Sequence, residues 1–435
     1  MIRIHDGVGK RKLGVCMLLA ALLCGPTVAK ADSVLEWNEI AINTAIANGQ
    51  NPFLLANFAA VEQLAVFEAV NAIKGDYKPY LGSVVAPHGA SADAAAIQAA
   101  YRVLSTSFPA SKPNLDMQRS NSLASIPDGQ AKVDGIATGD DAASAMMALR
   151  ANDGSSSPPQ FKIPGPPVAG EWQATPSCPV ISGIAVGVFF QWQYVKPFGI
   201  PSANEFLLDP PPALTSNRYA RDYNEVKTVG SLDSAERPQD RADVAQFYGA
   251  SSATLLFNEA ARQVAQEQGR SLPENARALA LINMAISDSF VVSFFNKYYY
   301  NFWRPETAIH EGDTDGNPKT IADPSYVPFI TTPCFPSYPS NHGSGSGGGA
   351  EVSRRIYGEG GHSITLSNPD VPNIVFHYTT FKEITNDVSD ARVYAGIHFR
   401  TDQVEGARLG RAVGAAVYKN NLRPRDDDDS PDDDR

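Results

Sequence analysis

Apolar residues recur at intervals of three and four along much of the chain, the spacing that buries one face of a helix. The clearest run covers residues 53–73, and alanine-rich runs follow at 92–101 and 142–150. No stretch alternates with a period of two over more than a few residues, so a sizeable sheet is not expected. The pattern predicts a helical region over 32–157 and an all-α, multi-helix bundle.

Twelve of the 32 prolines lie between Pro158 and Pro212. Proline lacks a backbone donor and breaks helices, so residues 158–215, called the strap below, should be irregular. The strap also contains large aromatic residues, among them Trp172 and Trp192. We therefore expect it to wrap a folded surface; a flexible joint between independent domains is the alternative.

Helical periodicity resumes near Tyr219 and predicts a second helical region over 216–421. Ser271 and Glu274 have the spacing of a capping box, and Pro273 lies in the first turn, where its missing donor costs nothing. A long helix should begin there, and its apolar positions extend to Lys297.

The N-terminus has a basic start, an apolar run at 13–23 and the small-residue site Ala29-Lys30-Ala31. This pattern is typical of a secretory signal peptide over 1–31, which predicts a secreted or periplasmic protein. The apolar run at 13–23 is too short to span a bilayer as a helix.

Net charge excludes some partners. The leader carries about +4 of the formal −11, so the rest of the chain carries about −15. Neither nucleic acid nor an anionic membrane is an expected partner. Residues 422–435 are rich in aspartate and should form a disordered tail. Cys178 and Cys334 are the cysteines outside the leader, and their spacing leaves open whether they pair.

Three separated segments carry cations or histidines at spacings that allow them to meet. In the first, Lys297 and Arg304 lie seven apart, about 700° of helical rotation, so on one helix they would share a face. Pro305 disfavours helix at Arg304 and places the guanidinium at a helix end. Both side chains should reach one anion, although a solvated basic stripe is the alternative.

The second segment runs from Pro336 through His342 into a glycine-rich stretch. It is typical of a turn that leads into a helix of small residues. Backbone amides at such a helix start, with the Ser340 hydroxyl, would donate to the oxygens of an anion. No Lys-Ser or Lys-Thr follows the glycines, which excludes a nucleotide phosphate loop. Low-complexity flexibility is the alternative.

The third segment contains Arg392, His398 and Asp402. Arg392 and His398 lie six apart, about 600° of rotation, so they need the break that Gly396 offers to face the same way. Asp402 can accept from the imidazole and fix which ring nitrogen faces an anion. Two guanidinium groups, an ammonium, two imidazoles and a serine hydroxyl together suit a tetrahedral oxyanion.

In this order, Lys-x6-Arg-Pro, Pro-Ser-x-His and Arg-x5-His-x3-Asp resemble the motifs of the vanadium-dependent haloperoxidases and of their relatives, the type 2 phosphatidic acid phosphatases. The motifs span residues 297–402. The leader and the N-terminal region also look like secreted bacterial members of the haloperoxidase branch. The resemblance implies one vanadate per chain, with phosphate able to occupy the same site, and hydrogen peroxide with a halide or small organic molecule as substrates.

The resemblance also implies residue roles. His398 matches the axial vanadate ligand, and His342 matches the histidine that hydrogen-bonds the apical oxygen and handles protons. The matches to the equatorial-oxygen donors are Lys297, Arg304, Ser340 and Arg392, with Lys297 also polarising the bound peroxide. Asp402 joins the catalytic set as the partner of His398. These assignments predict the catalytic residues and the cofactor site.

Two positions bear on specificity. Asn341 replaces the family's glycine, whose backbone amide donates to the oxyanion. Asparagine tolerates left-handed backbone angles, so that donor can be retained, while the side chain crowds the pocket or adds a polar group to it. Phe335 matches phenylalanine of fungal chloroperoxidases, where bromoperoxidases have histidine, and Phe294 stands where chloroperoxidases have tryptophan. Both are assigned to the halide pocket, and the halide itself stays open.

The sequence favours a haloperoxidase but leaves two alternatives. In a soluble phosphatase His398 would attack phosphorus and His342 would protonate the leaving oxygen. An inactive anion-binding protein would follow if Asn341 disables the site. The loop at 313–317 has calcium-loop composition but the wrong glycine position, so a hydrogen-bonded turn is expected there. The oligomeric state is not predicted.

Overall fold

Helices make up most of the chain that a computed structural model describes, residues 32–425. The signal peptide predicted at 1–31 and the acidic residues 426–435 lie outside the described residues. Within that range the helices are α1 Ser33–Ala47, α2 Pro52–Lys74, α3 Ala92–Ser107, α4 Lys112–Ala124, α5 Gln130–Arg150, α6 Asn217–Gly230, α7 Gln239–Ala250, α8 Ala253–Glu267, α9 Leu272–Tyr300, α10 Pro305–His310, α11 Asn341–Tyr357, α12 Phe381–Tyr394 and α13 Arg400–Asn420. Two antiparallel hairpins pair β1 Val180–Ile181 with β2 Ile184–Ala185 and β3 Ile364–Ser367 with β4 Val375–Tyr378. The all-α prediction is confirmed.

Helix α9 is the central element. The predicted capping box is present, with the Glu274 carboxylate accepting the Ser271 backbone N–H at 2.9 Å. The helix then runs for 29 residues and ends where Asn301 adopts a left-handed conformation. It packs against α2 on one side and against α11 and α13 on another. One hydrophobic core therefore joins the N-terminal helices to those that carry the histidines.

Two helices, α2 and α9, are long and apolar enough to cross a membrane by length and composition. Their apolar stretches are 89% and 94% buried inside the protein. Core helices of globular proteins pass the same test, so this is weak evidence for a membrane span.

The glycine-rich stretch after His342 is the first half of α11 and allows that helix to touch α13 backbone to backbone. A Cβ at Gly410 of α13 would lie 2.0 Å from the Ser344 carbonyl oxygen, and one at Gly347 would lie 2.6 Å from the Ala407 carbonyl oxygen. Side chains cannot fit at such separations. The glycines therefore serve close packing, and the alternative of a flexible low-complexity stretch is wrong.

The strap has short 3₁₀ helices and the β1–β2 hairpin but no long helix, as its prolines require. Trp172 and Trp192 are each only 1% exposed. The strap is therefore packed on the helices, and the alternative of a flexible joint does not hold. A disulfide between Cys178 and Cys334 ties the strap to the loop before α11 and settles the pairing that the sequence left open.

Residues 422–425 do not belong to the disordered tail that the sequence predicts. The prediction places residues 422–435 in the tail, but Leu422 is buried. The Arg423 carbonyl oxygen accepts the Lys78 N–H, and the Arg425 N–H donates to the Asp76 carbonyl oxygen. These pairings fasten residues 422–425 to the end of α2. The correction follows from Leu422, an apolar residue whose burial the charge pattern around it did not indicate.

The loop at 313–317 is a hydrogen-bonded turn. Asp315 Oδ1 accepts the Asn317 N–H at 2.8 Å and the Thr320 hydroxyl at 2.9 Å. Among residues 32–425, no group of three or more His, Cys, Asp or Glu side chains is placed to hold a metal ion. The turn prediction is confirmed.

Candidate active site

Four helix ends meet around one point. They are the end of α9 with Lys297, the start of α10 after Arg304, the start of α11 with His342, and the α12–α13 connection with Arg392 and His398. One detail of the prediction is wrong: Lys297 and Arg304 do not share a helix face. The helix ends at Tyr300, and Arg304 has an extended backbone, because Pro305 begins a new helix.

Lys297 holds the loop that precedes α11. Its ammonium donates to the carbonyl oxygens of Pro336 and Ser337, each at 2.8 Å, and lies 5.3 Å from the centre of the Phe335 ring. The side chain is fully buried. Burial, and next the charge of Arg304, hold the pKa of Lys297 well below its usual range. An anion nearby would oppose both effects and favour the ammonium form.

Arg304 bridges the loop and the third segment. Its Nε donates to the Phe335 carbonyl at 2.8 Å, and NH1 donates to the Ile397 carbonyl at 2.9 Å. NH1 also lies 2.9 Å from Nε2 of His398. Burial lowers the pKa of Arg304 to about 9, so the guanidinium stays charged at neutral pH. Its second terminal nitrogen, NH2, is buried and has no partner among residues 32–425.

His398 is oriented by Asp402, as the sequence predicted. The His398 Nδ1 lies 2.9 Å from Asp402 Oδ2, which also accepts the Ser337 hydroxyl at 2.5 Å and the Phe399 N–H at 3.1 Å. With the Nδ1 proton donated to the carboxylate, Nε2 keeps its lone pair toward Arg304. Burial, then Arg304, hold the pKa of His398 well below its usual range, so the ring is neutral.

Gly396 supplies the break between Arg392 and His398. Its φ of 82° lies in the left-handed region, and a Cβ there would lie 2.3 Å from the Gly230 carbonyl oxygen. Arg392 is 4% exposed, and its hydrogen bond to the Tyr248 carbonyl is long, 3.5 Å. Burial lowers its pKa to about 10. Its Nε has no partner in the described part of the chain.

Ser340 and the next two residues form the start of α11. Ser340 is the N-cap, and its Oγ accepts the Gly343 N–H at 3.1 Å, which leaves the hydroxyl proton for another acceptor. Asn341 and His342 are the first two helical residues, so their backbone N–H groups have no partner within the helix. Asn341 is not in the left-handed region. Its backbone donor is retained because a helix begins there, not because asparagine tolerates unusual angles.

His342 lies near the cationic side chains of the site and lines the same cavity as His398. Burial, and next the charge of Arg392, hold the pKa of His342 well below its usual range. The ring is therefore a neutral base at physiological pH. A neutral imidazole beside a bound anion can accept a proton that is released there.

A cavity of about 40 Å³ opens where these groups meet. Of the predicted residues, those that line it are Phe335, Asn341, His342, Arg392 and His398. Phe294 is not one of them: it is fully buried behind Phe335, with the ring centres 5.4 Å apart. Phe294 therefore packs against the Phe335 ring, and its assignment to the halide pocket stays a prediction.

Several site residues were missed from sequence. Phe53 of α2 and Phe290 of α9 line the apolar side of the cavity, with Pro52, Ser252, Ala253 and Pro333. Only the full fold brings the N-terminal helix to this place, so no local signal could have found Phe53. Ser337 lies within the second motif, three residues before Ser340, so its hydroxyl could have been proposed as a site group from the sequence.

The donor set fits a tetrahedral oxyanion. Arg304 NH2, Arg392 Nε and the Asn341 amide nitrogen are buried without partners among residues 32–425. Leaving a buried donor unpaired typically costs about 1–3 kcal/mol, more when the donor is charged. An anion supplies the missing acceptors, and neutral Nε2 of His398 supplies a ligand for a metal centre. These residues therefore fit vanadate.

Comparison with known proteins shows that part of the chain matches a known family model. Residues 277–427 match a family model described as the VCPO second helical-bundle domain. Vanadium chloroperoxidase from Curvularia inaequalis is 24% identical, over 47% of this chain and 37% of that protein. The match therefore spans little more than a third of the relative's own length.

Solved structures extend the likeness to nearly the whole chain. A bacterial vanadium-dependent iodoperoxidase has a TM-score of 0.73 at 22% identity, covering 90% of this chain and 97% of its own. The apo form of a bacterial vanadium-dependent chloroperoxidase has a TM-score of 0.67 at 15% identity, with coverages of 85% and 95%. At such identities the likeness establishes the fold. The three ordered motifs lie within residues 277–427, so they fall in the part of the chain that matches the VCPO second helical-bundle domain.

Proposed function

We propose that the protein is a vanadate-dependent haloperoxidase, which uses hydrogen peroxide to oxidise a halide to hypohalous acid. The observation that carries the proposal is a cavity lined by both histidines and by Arg392, whose Nε is buried and unpaired among residues 32–425, with Arg304 NH1 2.9 Å from His398 Nε2. The names of the similar proteins, which include an iodoperoxidase and chloroperoxidases, support this class of activity.

Each residue has a role in this proposal. His398 would hold the metal through Nε2, while Asp402 keeps the proton on Nδ1. Arg304, Arg392, the Ser340 hydroxyl and the first amides of α11 would hold the oxygens. When bound, vanadate supplies a Lewis-acidic centre that activates peroxide toward halide. Lys297, in its ammonium form, would place a positive charge near that centre, and His342 would accept the proton that peroxide releases.

The small cavity supports small substrates. Three phenylalanine rings form much of its wall, and its polar lining includes Asn341, Arg392 and both histidines. Hydrogen peroxide and a halide ion are much smaller than a phosphate monoester, so a cavity of about 40 Å³ suits them better. The geometry therefore favours the peroxidase over the phosphatase.

The test is reconstitution with controlled occupancy. Protein stripped of bound anions should gain halide-dependent peroxidase activity when orthovanadate is added, and inorganic phosphate should compete. Iodide, bromide and chloride are each assayed, since the halide is open. His398→Ala should abolish the activity, and His342→Ala should slow it while vanadate still binds. Hydrolysis of a phosphate monoester with a trapped phosphohistidine at His398, and no halogenation, would replace the proposal with the phosphatase.

A further inference from the structure

The Asn341 side chain is held at one end and unpaired at the other. It is 4% exposed and lines the cavity with His342 and His398. Ser293 of α9, which is fully buried, donates its hydroxyl to Asn341 Oδ1 at 2.6 Å. The amide nitrogen Nδ2 has no partner among residues 32–425. The carboxamide thus presents two N–H donors that the protein itself does not use.

No group among residues 32–425 accepts a hydrogen bond from the Asn341 carboxamide nitrogen. Arg392, whose Nε is also unpaired, lines the same cavity, and both histidines there border cationic groups. Buried polar groups in folded proteins are nearly always paired, and a donor without an acceptor is costly. Two unpaired donors on one small cavity are therefore best explained by an anion that accepts from both of them.

We propose that the Asn341 carboxamide is an additional side-chain donor to the bound tetrahedral oxyanion, and that Ser293 is the residue that positions it. This inference rests on the proposed function, because it takes the same cavity as the oxyanion site. It assigns to Asn341 a second contact beyond its backbone amide. A glycine at this position supplies only the backbone contact, so the asparagine strengthens anion binding in this chain.

The neutrality of the added donor has a chemical consequence. An amide adds a hydrogen bond without adding charge to a site that already has three buried cations, each with its pKa lowered by burial. A further cation would raise the repulsion among them. An asparagine therefore increases affinity for the oxyanion at no cost in like-charge repulsion.

Binding affinity is the readout, so that no catalytic step is needed. The dissociation constants of orthovanadate and, separately, of inorganic phosphate are measured by calorimetry with the full chain. Asn341→Gly should weaken both by about tenfold, the usual worth of one hydrogen bond at a buried site. Asn341→Asp keeps the side-chain shape and its acceptor for Ser293 but replaces the donor with a carboxylate. It should weaken binding at least as much.

A double-mutant cycle tests the role of Ser293. Ser293→Ala should weaken binding a fewfold in the parent protein and have no effect when Asn341 is already replaced by glycine. A residue that only supports the fold would show the same effect in both backgrounds. Ser289→Ala is the matched control, because it removes a fully buried hydroxyl one turn earlier on α9. It should leave both dissociation constants unchanged.

The outcomes separate this inference from the proposed function. If Asn341→Gly and Asn341→Asp both bind the anions as tightly as the parent protein, the donor role is overturned while the oxyanion site stands. If the parent protein itself binds neither vanadate nor phosphate, the oxyanion site and the donor role fall together. Thermal unfolding of each variant shows whether it is folded, and the aspartate variant decides the matter if the glycine variant is not.

Discussion

Asp390 and Arg400 form an ion pair across the connection between α12 and α13, with Oδ1 and NH1 2.7 Å apart. Asp390 lies two residues before Arg392, and Arg400 lies two residues after His398. The pair therefore closes the turn at Gly396 and fixes the distance between the two site residues. Arg400 also pairs with Glu225 of α6 at 2.6 Å, which fastens the turn to a neighbouring helix.

Arg400→Met should weaken vanadate binding a fewfold while leaving the cavity residues in place. Both ion pairs are partly exposed, and such pairs are each worth roughly 0.2–1 kcal/mol. Calorimetric titration with vanadate measures the change. Arg355→Met is the matched control, since it removes a similarly exposed pair with Glu351 on α11, away from the site. Equal losses in the two variants would contradict a role for the turn.

Arg392→Ala should weaken vanadate and phosphate together. One charged donor is lost in each case, which typically costs roughly 1.5–3 kcal/mol, or about one to two orders of magnitude in affinity. Arg392 makes few bonds to the protein, so this variant reports on the anion with little structural disturbance. Arg304→Ala should weaken binding at least as much, but it also removes donors to Phe335 and Ile397. A shift for one anion alone would count against a shared site.

Local patterns account for the parts of the fold that depend on near neighbours. The capping box at Ser271, the long helix to Lys297 and the break at Gly396 were all predicted, because each is set by residues a few positions apart. The pairing of His398 with Asp402 belongs to the same class, since four residues span one helical turn.

Relationships over long sequence distances could not be predicted in the same way. The entry of Phe53 into the cavity depends on how α2 packs on α9, which no local pattern specifies. The Cys178–Cys334 bond depends on the path of the strap, which has no periodicity to follow. The order of the motifs indicates that Lys297 and Arg304 belong to one site. The two residues do not share a helix face, however, because Pro305 starts a new helix.

Replacing Cys178 of the strap and Cys334 of the loop before α11 with serine should lower stability and loosen the site. The bond joins the strap to Cys334, which directly precedes Phe335 and Pro336. The Phe335 carbonyl oxygen accepts from Arg304, and the Pro336 carbonyl oxygen accepts from Lys297. Loss of a disulfide typically costs about 2–4 kcal/mol in the free energy of unfolding. Phosphate affinity should also fall severalfold. Thermal unfolding and calorimetry measure the two effects.

A reducing agent provides the control for that prediction. Reductant should lower the unfolding temperature of the parent protein toward that of Cys178→Ser/Cys334→Ser, and it should leave the double variant unchanged. Should the double variant bind phosphate as tightly as the parent protein, the bond would stabilise the strap without supporting the anion site.

Glu62 should make stability depend on pH. It is fully buried in α2, where its one hydrogen bond within residues 32–425 is from Gln63, and burial raises its pKa to about 8 from an ordinary 4.5. Between these values the folded protein holds a proton that the unfolded chain has released. The contribution of Glu62 to the free energy of unfolding is therefore full below pH 4.5. It falls by about 1.4 kcal/mol per pH unit in mid-window and levels off above about pH 8.

Glu62→Gln should remove this dependence, because the amide resembles the protonated acid in shape and never ionises. Urea unfolding at intervals from pH 5 to pH 9 gives the free energy of unfolding for the variant and the parent protein. Their difference isolates Glu62 from other buried carboxyl groups such as Asp288, whose pKa burial raises to about 7. The difference should widen in favour of the variant as the pH rises to about 8. A difference that does not change with pH would mean that the Glu62 carboxyl group is not protonated in the folded protein.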